Sequence, residues 1–150
     1  MSGNGRIQGA QCQAIGRSRG GRTTKIHAVA DQRRRLIAFS LTEENRHDLA
    51  PAEALVASLP AATTMLADTA YDSDAFREFL ANRGTTPQIN QHPTRKRLYS
   101  FDQAEYRGRN VIERAFCLLK DWRRVTTRYD KRARNFAATV VIAAIIRWWA

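Results

Sequence analysis

YRGRNVIERAFCLLK, residues 106–120, divides its side chains cleanly between two faces. On a helix turning roughly 100° per residue, Tyr106, Arg109, Glu113 and Lys120 fall within an arc of about 60°. Val111, Ile112, Ala115, Phe116, Leu118, Leu119 and Trp122 fill an arc of about 160° on the other side. One face can therefore pack into a core while the other presents a phenol, two cations and a carboxylate in a line. A carboxylate flanked by cations on a rigid helix suits a metal ion beside a phosphate backbone. Periodicity alone equally describes an ordinary solvated charged face.

Downstream of this helix, Arg123, Arg124, Arg128, Lys131, Arg132 and Arg134 make a basic segment. The apolar run 137–146, interrupted by Thr139 and ended by Arg147, falls short of the ~20 residues a bilayer requires. It reads as a buried helix, part of a closing helix over about 134–149 that should cover one face of a sheet.

Upstream lies a basic loop, 91–102, with Tyr99 and Phe101 between cations. Such a loop either stacks bases and holds phosphates or is docked by its own aromatics. Residues 86–90 suggest a short strand, with Pro87 at an edge or first in the strand. A helix over 74–83 should turn Phe76, Phe79 and Leu80 inward and stop at Gly84. Residues 64–67 form a compact apolar strand ending in Asp68. Before it, Asp48 and Pro51 mark a helix start, with Leu49, Leu55, Val56 and Leu59 on one face and an end near 58–60. Residues 25–30 and 36–41 read as a hairpin with the basic tip 31–35. The first 21 residues, rich in Gly, Gln, Ser and Arg, should be a flexible basic arm; its Arg17 and Arg19, with Arg22 just beyond it, can follow phosphates, or the arm is merely a solvated tail.

The 150 residues amount to one domain, with 22–150 as its folded part. With 25 Lys and Arg against 14 Asp and Glu, the charge is +11, pointing to a polyanionic partner, most simply nucleic acid. Two cysteines, Cys12 and Cys117, suit neither a disulfide framework nor a zinc site; Cys117 is expected in the core. They fit a reducing cytoplasm, and no signal-peptide core suggests export.

The spacing Tyr106-x2-Arg109-x3-Glu113-x6-Lys120 matches the Y-x2-R-x3-E-x6-K signature of bacterial DDE-type insertion-sequence transposases, and the chain resembles their family-five group. Further phrases agree in order: Gly16-Arg17-Ser18-Arg19-Gly20-Gly21, Thr23-Thr24-Lys25-Ile26-His27, Leu66-Ala67-Asp68 with Tyr71-Asp72, and Arg128-Tyr129-Asp130-Lys131. The resemblance covers about 14–149. Ala70 stands where that family commonly has glycine.

The resemblance implies an α/β, ribonuclease-H-like mixed sheet with flanking helices, here lacking the first strand. It makes Asp68 and Glu113 the second and third catalytic acids, ligands of Mg²⁺ or Mn²⁺. Tyr106, Arg109 and Lys120 would hold DNA at the cleavage site. The implied activity is metal-dependent cleavage and strand transfer of insertion-sequence ends into target DNA, by a homo-oligomer in the nucleoid. The family's first acid precedes the GRSRGG phrase, and residues 1–15 contain no Asp or Glu. Asp31, at the hairpin tip, is a poor substitute. With the triad incomplete, two outcomes are expected: a partial transposase completed by an upstream reading-frame product, or a catalytically inactive fragment that binds DNA by charge. A basic RNA-binding protein matching the signature by accident is the remaining alternative.

Overall fold

The computed structural model describes residues 13–18, 21–43 and 47–149. Cys12, Arg19 and most of the expected arm lie outside the described residues, as do the side chains of Arg17 and Arg22. The chain forms two compact units, 27–40 with 47–117, and 1–26 with 41–46 and 118–150.

Strand β1 (Gly16–Ser18) lies inside the stretch expected to be an arm. It pairs antiparallel with the start of β2 (Gly21–Ala30), Gly16 opposite Thr23 and Ser18 opposite Gly21. Strand β3 (Leu36–Glu43) is β2's other neighbour. Their five-residue link is too short for a parallel crossover, so the two form the expected hairpin. Both strands are longer than their apolar runs, because ladder pairing carries polar residues at either end. At the tip, Asp31 accepts from the backbone N–H groups of Arg33 and Arg35, each at 2.9 Å, and ion-pairs with the Arg35 side chain at 2.6 Å. Both carboxylate oxygens are engaged in the turn.

In the 27–117 unit, α1 (Leu49–Ala57) leads to β4 (Thr64–Ala67), then α2 (Asp74–Asn82) and β5 (Thr86–Ile89). Asp48 holds the N-cap position of α1 without a capping hydrogen bond from its side chain. Ser73 caps α2 by accepting from Phe76 N–H, and Gly84, at φ 75°, ends the following turn in the left-handed region. With α2 as crossover, β4 and β5 run parallel, Thr64 opposite Thr86 and Ala67 opposite Ile89. Pro87, lacking an N–H, is tolerated because β5 pairs only with β4 among the described residues. Ala52, Val56, Ala67, Phe76, Leu80 and Ile89 make the core. A single mixed sheet was the expectation. The described strands instead form two sheets, β1-β2-β3 and β4-β5.

The signature stretch is helical but segmented: α3 (Gln103–Tyr106), a 3-10 turn (Arg107–Arg109), and α4 (Asn110–Lys120). Ala115 and Leu119 are buried, with Val111, Ile112, Phe116 and Leu118 half-buried, as the apolar arc requires. Cys117 corrects the expectation: its thiol is free and exposed. It lies one turn after Glu113, which puts it on the polar side.

In the other unit, α5 (Arg123–Thr126) packs on α6 (Ala133–Trp148). Arg128 donates to the carbonyls of Gln13 (2.7 Å) and Ala14 (3.0 Å) and to Thr24 Oγ1, with its guanidinium over the Phe136 ring. It is a clip for the chain leading into β1. On α6, Phe136, Val140, Ala143 and Ala144 are buried, whereas Val141, Ile142, Ile145 and Ile146 are exposed. The apolar run, read as a buried helix, thus buries one face and leaves the other exposed. No described helix is long and apolar enough to cross a membrane.

Candidate active site

Asp68 follows the last residue of β4 at the carboxyl ends of two parallel strands, where open α/β sheets place their ligands. It caps a 3-10 turn (Thr69–Tyr71): its Oδ1 accepts from Thr69 N–H at 2.6 Å, and its carbonyl accepts from Tyr71 N–H at 2.9 Å. That leaves Oδ2 directed at Arg109 Nη1, 3.4 Å away.

Glu113 stands in the first turn of α4, where the helix dipole favours a carboxylate. Its Oε1 accepts from Arg109 Nη2 at 2.6 Å. One guanidinium therefore bridges both acids, and its rigid fork limits their nearest oxygens to a separation of about 8 Å. Both carboxylates are 56% exposed. Neither is turned into the apolar interior.

Tyr106 lies against the same arginine, its ring centroid 5.5 Å from the guanidinium carbon, and packs on Phe101 at 5.0 Å. Burial pushes the Tyr106 phenol above its ordinary pKa; Arg109 opposes this, and Asp68 and Glu113 add to it. Lys120 is exposed at the end of α4, two helical turns beyond Glu113 on the same side.

Several residues that build the site were not among the candidate site residues, although His27 and Tyr71 stand within the family phrases. Gly108 brings the 3-10 turn close to β4: a Cβ there would lie 3.2 Å from Leu66 Cδ1, two residues before Asp68. Buried Gln88 of β5 donates to Glu105 Oε2 and accepts from Asp102 N–H, both at 3.0 Å, tying the start of α3 to the sheet. Tyr71 is held by buried His27, with its oxygen 3.2 Å from Nδ1 and the rings edge to face. Burial, then the charges of Asp48 and Asp68, push the Tyr71 phenol up to about 12. These residues depend on contacts far apart in sequence, which local pattern does not encode.

The loop 91–102 is docked. Tyr99 has the guanidinium carbons of Arg77, Arg95 and Arg97 within 4.6–5.0 Å of its ring centroid, and Gln91 holds its backbone at both N–H and C=O. A ring so covered is no open stacking platform for a base.

Among the described residues, no three His, Cys, Asp or Glu side chains converge to hold a metal ion. Asp68 and Glu113 supply hard oxygen donors of the type Mg²⁺ and Mn²⁺ take, with lone pairs beyond those Arg109 and Thr69 use. The donor set fits such an ion in kind and offers two carboxylates.

A family model for the transposase DDE domain matches residues 5–148, so the chain belongs to that family. It is 35% identical over 127 residues to a Brucella ovis protein named as a transposase for insertion sequence element IS6501. The match covers 84% of this chain and 98% of that one. No solved structure matches the chain. Family membership associates the chain with DNA transposition and a DNA substrate.

Proposed function

We propose that this chain is a family-five-type insertion-sequence transposase of ribonuclease-H-like fold, working on the chromosome in the cytoplasm as a homo-oligomer. Its activity would be metal-dependent cleavage of the element's inverted-repeat ends and their transfer to target DNA. The observation that carries this reading is the meeting of Asp68, at the end of β4, and Glu113, on α4, on one guanidinium.

Asp68 and Glu113 would hold Mg²⁺ or Mn²⁺. Bound there, divalent ions would activate a water or a 3′-hydroxyl and stabilise the leaving oxygen of a phosphodiester. The chain's own groups do the rest. Thr69 N–H fixes the Asp68 carboxylate, and the Gly108 turn sets Glu113 opposite it. Arg109 and Lys120 neutralise scissile-strand phosphates, and Tyr106 supports Arg109 from beneath.

The first acid would come from an upstream reading-frame product. A second reading is favoured by one observation: among the described residues two acids meet at Arg109, and with that pair alone the chain would be an inactive fragment that binds DNA by charge. Incubating the chain with end DNA and Mn²⁺, with and without the upstream product, separates the two. Nicking that requires Mn²⁺ and is abolished by Asp68→Asn and Glu113→Gln is expected with the upstream product. Metal-dependent nicking in no combination would reject activity.

A further inference from the structure

Arg109 bridges rather than chelates. Nη1 serves Asp68 and Nη2 serves Glu113, each nitrogen on a different carboxylate. A divalent cation held by either acid would take up carboxylate oxygens that Arg109 now holds. Two carboxylates with Arg109 between them sum to one negative charge; with Arg109 withdrawn they sum to two. The arginine and a divalent ion thus compete for the same oxygens.

We propose that Arg109 is the resident counter-cation of this site, displaced from at least one carboxylate when a divalent ion binds, and that its release delivers the guanidinium to a DNA phosphate. The inference rests on the proposed metal-holding role of Asp68 and Glu113. Three observations make the exchange accessible. Both carboxylates are half open to solvent, so each pair is a weak one, a factor of about 1.4–5. The Tyr106 ring supports the guanidinium from one side and leaves its rigid fork on the acids. The side chain is itself partly exposed.

A phosphate gives the displaced guanidinium a bidentate partner. By linkage, DNA must then tighten metal binding by the factor with which metal tightens DNA. With neither bound, the arginine neutralises the acids and keeps them paired, a resting state that resists stray cations.

The test uses the full chain, with Mn²⁺ as probe and free Mn²⁺ read by electron paramagnetic resonance. Arg109→Gln should tighten Mn²⁺ binding about 2- to 25-fold, the combined worth of two exposed pairs. Arg109→Lys, charged but unable to span both acids, should fall between. A 20-base-pair duplex should tighten Mn²⁺ on the natural chain and have little effect on Arg109→Gln. Unchanged or weaker Mn²⁺ binding by Arg109→Gln overturns the exchange. On the natural chain itself, Mg²⁺ should shift the Arg109 Nε–Hε NMR resonance with the same saturation as metal binding, and a resonance that stays put also overturns it. Asp68→Asn and Glu113→Gln separate the two levels. If neither weakens Mn²⁺, the metal site fails and takes this inference with it; if both weaken it while Arg109→Gln does not tighten it, only the exchange fails.

Discussion

Asp72, four residues after Asp68, shows how much of the site rests on a buried charge. Its side chain is 1% exposed, and that of Arg77 3%. Arg77 donates to Oδ1 through Nε and Nη2 at 2.9 and 2.7 Å, Arg95 pairs with the same oxygen at 2.9 Å, and His92 N–H donates to Oδ2 at 2.9 Å. Arg77 Nη2 also donates to the Ile89 carbonyl. Arg77→Met leaves the buried carboxylate with Arg95 and the His92 N–H and removes the charge-assisted bonds of Arg77, which should cost about 1.5–3 kcal/mol in denaturant unfolding. Burial alone would raise the Asp72 carboxyl; the His92 N–H, Arg77 and Arg95 outweigh it and hold the group below its ordinary value. A depressed folded pKa stabilises above the unfolded value of about 3.9 and is lost as pH falls through the folded one. The chain should therefore lose stability below about pH 4, and Asp72→Asn should lose less of its own over that interval. An acid unfolding series on both checks it. Asp68 and Glu113 were legible as site candidates because a spaced signature names them. Arg77 was not: on its helix it reads as a solvated cation, and its partners come from the preceding turn and the end of β5.

The elements were largely legible in kind, with differences where contacts between elements override local pattern. Strand β4, α2 with its Gly84 stop, and the hairpin tip follow from apolar runs and turn residues. The signature helix was expected in one piece, and its apolar and polar faces are as periodicity gives them. Its 3-10 turn at 107–109 is set by the approach of Gly108 to Leu66, which no helical wheel contains. Gly108→Ala should be tolerated, since Leu66 Cδ1 is the end of a flexible side chain. Gly108→Val should overpack the contact and cost about 1–3 kcal/mol, read as a lowered denaturation midpoint. Ser73→Ala removes the cap of α2 and should cost about 1 kcal/mol. The loop at 91–102 offered two readings, and Gln91 with three arginines decides for docking. The closing helix buries a stripe, not its whole circumference.

For the whole molecule, charge and motif order carried the most. A charge of +11 predicts DNA affinity that falls steeply with salt. Lys120→Gln should flatten the log–log salt slope by about one, measured by fluorescence anisotropy on a labelled duplex. The family was readable because five phrases occur in order across the chain. The separate β1-β2-β3 and β4-β5 sheets were not, since pairing between strands is decided by partners far along the sequence.

The central claim is the proposal that Asp68 and Glu113 act together in holding divalent cations. A double-mutant cycle on Mn²⁺ affinity, with Asp68→Asn, Glu113→Gln and the pair combined, tests it most directly. Each single change should remove most of the binding, and the combination should add little further loss. Affinity untouched by either change, or losses that simply add as at independent sites, would contradict it.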